Sequence, residues 1–351
     1  MLFVSAGTLY AQGFDLTRLA LTGNRSTVAQ DVASVSVSDA GIVAYRTTSV
    51  VERRQFVWFD RAGREIGRVG DPDSSVVAGG FLSLSPNGRH VAMHRTVDQN
   101  RDIWLLETTR GVLSRFTSDA ALDGEPQWSP NGQQVVFCSN RSGVFDLYVK
   151  STAAPEGEQL LLATAQNKSA TDWSLDGRFI LFRSVDPTLS HDLWALPLDG
   201  DKKPFPVVRT GFVEPHGQFS PDRQWVAYQS NESGRAEVYI QPFPGPGAKT
   251  RISTNGGAQM RWRRDGKELF YLALDGRLMA VPIRASQDGG LESGQPVPLF
   301  PARVGEVIPL QSGYNLSYDI SPDGQRFLMN TITEASGAPP IEVILNWPPK
   351  S

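Results

Sequence analysis

WSPNGQQVVF, from Trp128 to Phe137, decides the fold: an aromatic residue, Ser, a turn closed by Asn-Gly, then an apolar run. Asn-Gly tolerates the positive φ angles of a tight hairpin, so the phrase reads as strand, turn, strand. It recurs as LSPNGRHVAM (Leu84 to Met93), WSLDGRFILF (Trp173 to Phe182) and FSPDRQWVAY (Phe219 to Tyr228). Weaker copies are VSDAGIVAY (Val37 to Tyr45), WRRDGKELFY (Trp262 to Tyr271) and ISPDGQRFLM (Ile320 to Met329). With Ser38, Ser85, Ser129, Ser174, Ser220, Arg263 and Ser321 taken as equivalent, the steps are 47, 44, 45, 46, 43 and 58 residues. A repeat of that period made of short strands marks a β-propeller. The expected fold is all-β, a propeller of four-stranded antiparallel blades, with seven blades favoured and six or eight as alternatives.

Each unit supplies four strands. Around the quoted stretch they are Pro126 to Trp128, Gln134 to Ser139, Asp146 to Lys150 and Gln159 to Ala163. The third strand has its own opening, seen at Asp102-Ile103-Trp104, Asp146-Leu147-Tyr148, Asp192-Leu193-Trp194 and Glu237-Val238-Tyr239. An acid, an aliphatic and an aromatic give the period-two alternation of a strand with unlike faces. The acid is expected to accept backbone N–H bonds from a neighbouring turn. The eight tryptophans fall at repeat-locked positions, which reads as filling between face-to-face sheets rather than as a ligand stack.

Leu2 to Phe14 lays without a gap onto Tyr271 to Ile283, so the chain begins inside a blade, with a fourth strand around Leu16 to Ala29. The far end offers Tyr318 to Ser321, Gln325 to Asn330 and Ile341 to Trp347 as first, second and third strands. The N-terminal fourth strand is expected to complete that last blade and close the ring, because an open sheet edge invites aggregation. One propeller domain over residues 1–351 is expected. Residues 1–30 supply partial-blade strands and residues 31–347 the blades of about 45 residues.

Composition narrows the function. Thirty-four basic against 37 acidic residues leave no basic field for nucleic acid or anionic lipid. Cys138 is the only cysteine, which excludes an intrachain disulfide and Cys-based metal clusters, and its apolar surroundings read as a buried thiol. No apolar run approaches the ~18 residues of a spanning helix, so no membrane insertion by this chain is expected. The opening MLFVSAGTLYAQ lacks the basic leader and long apolar run of a secretion signal.

Catalytic patterns are sparse. The sequence has no G-x-S-x-G and no H-E-x-x-H, and Asp199-Gly200-Asp201 is too short for a calcium loop. His90 and His94 sit on a strand rather than a helix, so their spacing is not that of a zinc pair, and neither a metal nor a cofactor is expected. Architecture points elsewhere. First strands line a propeller's central channel, and the residue before each apolar position varies between blades: Ser83, Gln127, Asp172, Gln218, Arg261 and Asp319. With Glu125, Glu214 and His216 these form a candidate polar ring at the channel mouth. The candidate ligand-binding set is Glu125, Gln127, Asp172, His216, Gln218, Arg261 and Asp319, with solvated channel wall as the competing reading.

The SPDG-type turns followed by DLW and DLY strands resemble the TolB-like, WD40-like (PD40) propellers of bacteria. Val57-Trp58-Phe59-Asp60-Arg61-Ala62-Gly63, Arg101-Asp102-Ile103-Trp104, Asn231-Glu232-Ser233-Gly234 and Arg263-Arg264-Asp265-Gly266-Lys267-Glu268-Leu269 carry the resemblance further. They are similar to the C-terminal propeller region of transmembrane bacterial serine/threonine kinases. That resemblance implies a non-catalytic, extracytoplasmic (periplasmic), sensor-type module that binds a protein or small polar ligand. The sequence contains no Gly-rich ATP loop, VAIK-like lysine, HRD or DFG, so a fragment or stand-alone relative of such a protein is expected. A monomer is expected. The alternative is a propeller hydrolase of lactonase or esterase type with calcium in the channel.

Overall fold

The computed structural model describes residues 1–351 apart from 6, 39–40, 48–52, 76–80, 154–156, 187–190, 246, 287–288, 306, 309–314, 335–340, 346 and 348–351. Among the described residues every regular element is a β-strand. Contacts divide the chain into two compact units, one of Met1–Arg53 with Thr333–Ser351 and the other of Arg54–Ile332.

The larger unit is a propeller of six blades. The first is Leu82–Leu84, His90–Val97, Asn100–Glu107 and Leu113–Arg115. The second is Asp123–Trp128, Gln134–Ser139, Asp146–Ser151 and Gln159–Leu162. The third is Asn167–Trp173, Phe179–Val185, His191–Pro197 and Phe205–Val208, and the fourth is Gly217–Phe219, Trp225–Ser230, Glu237–Pro242 and Thr250–Arg251. In the fifth, Ala258–Trp262, Glu268–Leu272 and Arg277–Ala285 are followed by Leu291–Ser293 and Val297–Pro301, both paired with Arg277–Ala285. That additional strand accounts for part of the long last repeat step.

The sixth blade joins the two ends of the unit. Tyr318–Ile320 and Arg326–Glu334 pair in sequence, and Arg53–Asp60 and Glu65–Asp73 add the third and fourth strands. The strand expected to complete this blade, around Leu16 to Ala29, does not do so. Ala20–Ala29 pairs instead with Thr8–Asp15, in a three-stranded sheet with Leu2–Ser5. Glu342–Ile344, expected as the sixth blade's third strand, pairs with Val43–Thr47, which in turn pairs with Val32–Val37. The copy at Val37 to Tyr45 thus belongs to a three-stranded sheet of the smaller unit. Its turn residues 39–40 lie outside the described residues. The smaller unit has its own core of Leu9, Val32, Val43 and Tyr45.

The repeated serine explains the repeat. Ser129 Oγ lies 2.7 Å from Asn131 Oδ1 and accepts the Gln134 N–H at 2.9 Å, tying the turn to the start of the second strand. Ser85, Ser174, Ser220 and Ser321 make the same two contacts with Asn87, Asp176, Asp222 and Asp323 and with the N–H groups of His90, Phe179, Trp225 and Arg326. The glycine that follows is needed for its backbone: Gly132 has φ 70° and Gly177 φ 77°. Arg223, standing at this place in the fourth blade, adopts φ 61° despite its side chain. Arg263 replaces the serine in the fifth blade and pairs with Glu268 at 2.8 Å.

Hydrophobic clusters lie between blades. Val136, Leu147 and Val149 of the second pack with Ala170, Trp173 and Ile180 of the third. Phe56, Val69 and Leu328 of the sixth pack with Leu82, Val91 and Met93 of the first. Burial of this kind contributes roughly 25 cal/mol per Å² of apolar surface, and here it joins neighbouring sheets. Three of the four third-strand acids act as expected: Asp146 accepts from Thr164 N–H at 3.3 Å, Asp192 from Thr210 N–H at 3.3 Å and Glu237 from Gly256 N–H at 3.0 Å. Asp102 instead pairs with Arg115. Cys138 is buried, and desolvation pushes its thiol up to about 12, an inert group.

Candidate functional site

The six first strands converge on one cavity of about 170 Å³ at the end of the channel framed by the Ser-Pro turns. Its wall includes Ser83, Gln127, Asp172, Gln218, Arg261 and Asp319, one from each blade. Pro86, Pro130, Pro221 and Pro322 stand at the rim. These six positions were legible because strand side chains alternate, so the residue before each inter-blade aromatic must face the axis.

Most of this tier ties one blade to the next. Asp172 Oδ2 accepts the Phe219 N–H at 2.8 Å, Gln218 Oε1 the Trp262 N–H at 2.8 Å, and Asp319 Oδ2 the Leu84 N–H at 2.8 Å. Trp128 Nε1 donates to Ser83 O at 3.0 Å. Each pinned side chain keeps polar capacity beyond the bond it makes to the next blade. Arg261 Nε lies 3.2 Å from Asp319 Oδ1, a buried ion pair across the fifth and sixth blades. Gln127 Nε2 and Trp262 Nε1 are buried with no hydrogen-bond partner among the described residues. Asp172 keeps one face open to the cavity, yet crowding by protein atoms pushes its carboxyl up to about 7; the two amides and Arg261 oppose that rise, and Asp319 adds to it.

Three residues expected in the same ring lie elsewhere. Glu125 and His216 stand two residues before Gln127 and Gln218, one step deeper along the chain. They are buried below the mouth and do not line its cavity. Glu125 Oε1 accepts from Arg183 Nη2 at 2.6 Å, and Arg183 also donates to Ser169 Oγ at 3.1 Å. Glu125 itself stands at φ 54°, inside a register shift between Gly124 and Gln127. His216 Nδ1 is 3.2 Å from Met260 Sδ, and burial holds the ring well below its ordinary range, hence neutral. Glu214 accepts from Thr210 Oγ1 at 2.9 Å and Ser230 Oγ at 2.7 Å, a structural arrangement. Gln259, not singled out from sequence, holds the equivalent deep place at φ 55° and accepts the Ser317 N–H at 2.7 Å.

The sequence also assigned the tryptophans to the core alone. Trp128, Trp173 and Trp262 are buried between blades, but each also lines the mouth cavity, and Phe219 joins them. Position was legible, but the double duty was not. A side chain at the top of a wedge touches both the neighbouring sheet and the opening above it.

Residues 52–194 match the family model described as the TolB beta propeller domain. An uncharacterized protein of Agrobacterium fabrum is 26% identical over 223 residues, 58% of this chain and 75% of that protein. An uncharacterized peptidase of Bacillus subtilis, YuxL, is 33% identical over 118 residues, 32% of this chain and only 18% of the peptidase. Among solved structures, a candidate TolB from Agrobacterium tumefaciens superposes with a TM-score of 0.61 at 14% identity, covering 81% of this chain and 99% of that one. A candidate 6-phosphogluconolactonase from Bacteroides uniformis gives a TM-score of 0.50 at 14% identity, covering 84% and 96%. At such identities these likenesses show the fold alone. The chain folds as a β-propeller, and residues 52–194 of it resemble the TolB beta propeller domain.

Proposed function

We propose that this chain is a non-catalytic binding module that receives a small polar ligand or a protein segment at the channel mouth. The observation that supports this most is the cavity itself: six strands deliver a mixed polar tier, three indoles and unspent hydrogen-bonding groups to one concave opening. The acids there are engaged with inner-strand amides and with Arg261, which suits recognition better than a nucleophile awaiting activation. The resemblance to propeller regions of bacterial transmembrane kinases supports an extracytoplasmic sensing role within a larger protein.

The test is a paired substitution, Asp172→Ala with Arg261→Ala, assayed by calorimetry against amino-acid and short-peptide panels. Loss of binding in the variant with retained melting behaviour is expected; unchanged affinity removes the mouth as the site. Calcium-dependent turnover of a lactone or ester panel, abolished by chelation, would favour the hydrolase alternative.

A further inference from the structure

The charges of the mouth do not match one for one. Of its two carboxylates, Asp319 is met by Arg261 at 3.2 Å, but among the described residues no Lys, Arg or His lies within ion-pair distance of Asp172. Asp172 is held in place by the Phe219 N–H and faces the open volume. Trp128, Trp173, Phe219 and Trp262 also line the cavity. A ring face attracts a cation through its quadrupole, and more strongly where water is excluded. An unmatched carboxylate enclosed by aromatic rings is complementary to a positively charged group on a slender apolar stem.

We propose that the mouth is selective for a primary ammonium or guanidinium group, carried on a lysine- or arginine-like stem that enters along the channel and pairs with Asp172. This rests on the reading of the mouth as a binding site and names the chemistry it takes. The other charges near Asp172 are few. Arg261 is matched by Asp319, and Arg264 at the rim donates to the Pro86 carbonyl at 3.3 Å. Below lie the Glu125–Arg183 pair and the neutral His216. Gln127 Nε2 and the stem of the ligand have room beside the cation, because the cavity holds about 170 Å³.

Protonation adds a second signature. The cation pairs with ionised Asp172, whose carboxyl in the free protein titrates at about 7. Below that pH, binding must expel a proton. Affinity therefore rises with pH up to about 7 and levels above it.

The experiment titrates the protein with N-acetyl-lysinamide, using the glutamine and glutamate analogues as neutral and anionic controls, on both sides of neutral pH. Calorimetry gives affinity, and the indole N–H resonances of Trp128, Trp173 and Trp262 report binding at the mouth. Lysinamide is expected to bind roughly tenfold or more tightly than the neutral analogue. Asp172→Asn, which keeps an acceptor for the Phe219 N–H, is expected to abolish both that preference and the pH dependence. Equal binding of lysinamide and the neutral analogue, or an unaltered preference in Asp172→Asn, overturns the inference while leaving the mouth a binding site. Indole resonances that respond to none of the three probes overturn the inference and the binding-site reading together.

Discussion

Two tiers of the channel, adjacent along the same six strands, are built in opposite ways. At the mouth, Asp172, Gln218 and Asp319 each spend one oxygen on the next blade and keep contact with an open cavity. One step deeper, Glu125 is locked by Arg183, and Gln259 is tied on both ends, accepting from Ser317 N–H and donating to the Val307 carbonyl at 2.8 Å and to Asn315. The deeper tier also carries the left-handed residues Glu125 and Gln259, a strain that persists only where surrounding bonds over-determine it. The lesson is that polar residues on one strand face divide by depth: those sealed from water hold the ring, and those open to it remain available.

The sharpest way to break this contrast is Arg183→Met, which leaves Glu125 buried and unpaired. A loss of about 3–5 kcal/mol in urea unfolding is expected. Adding Glu125→Gln to it should recover a large part; no recovery would mean that the pair is not what locks the deep tier. Gln259→Ala should cost about 1–3 kcal/mol, because it strands the buried Ser317 N–H while keeping the φ strain. Gln218→Ala at the mouth should cost only about 1 kcal/mol, since water from the cavity can replace its oxygen on the Trp262 N–H. If the mouth variant proves the more damaging of these two, the division by depth is wrong.

The pH dependence of stability has a sign of its own. The Asp172 carboxyl is raised in the folded protein, so the native state holds a proton that the unfolded chain has already released above its ordinary 3.8. Its contribution to stability is therefore present at low pH and fades as pH rises toward about 7. Asp172→Asn should melt like the parent near pH 4 and above it at pH 8. Histidines act in the other direction: burial lowers His94 to about 3 and His191 to about 4, so stability is lost as pH falls below 6.5. Thermal melts across that range in Asp172→Asn and His94→Phe separate the two slopes.

Blades, turns and the six mouth positions could be read from the chain because each rests on local chemistry: a serine–asparagine turn, a left-handed glycine and strict alternation. Depth could not. Residues two apart on a strand face the same way, so Glu125 and His216 read as companions of Gln127 and Gln218, although a step along the strand places them about 6.5 Å lower. Nor could ring closure be read, because both Arg53–Asp60 and Ile341–Trp347 suit a third strand. A physical signal did separate them. Phe56, Val57 and Phe59 are buried on both faces, as a strand covered by sheets on either side requires, whereas Val343 and Leu345 are exposed.

The sixth blade also sets an order of events during synthesis. Arg53–Asp60 and Glu65–Asp73 leave the ribosome before the five intervening blades, but their partner Arg326–Glu334 emerges only after them. At roughly 5–20 residues per second, the early pair waits many seconds with an unpaired edge while the intervening blades assemble. Completion of the circle is then a single late event, and a chain released before Tyr318 has emerged would leave that edge open to a neighbouring polypeptide.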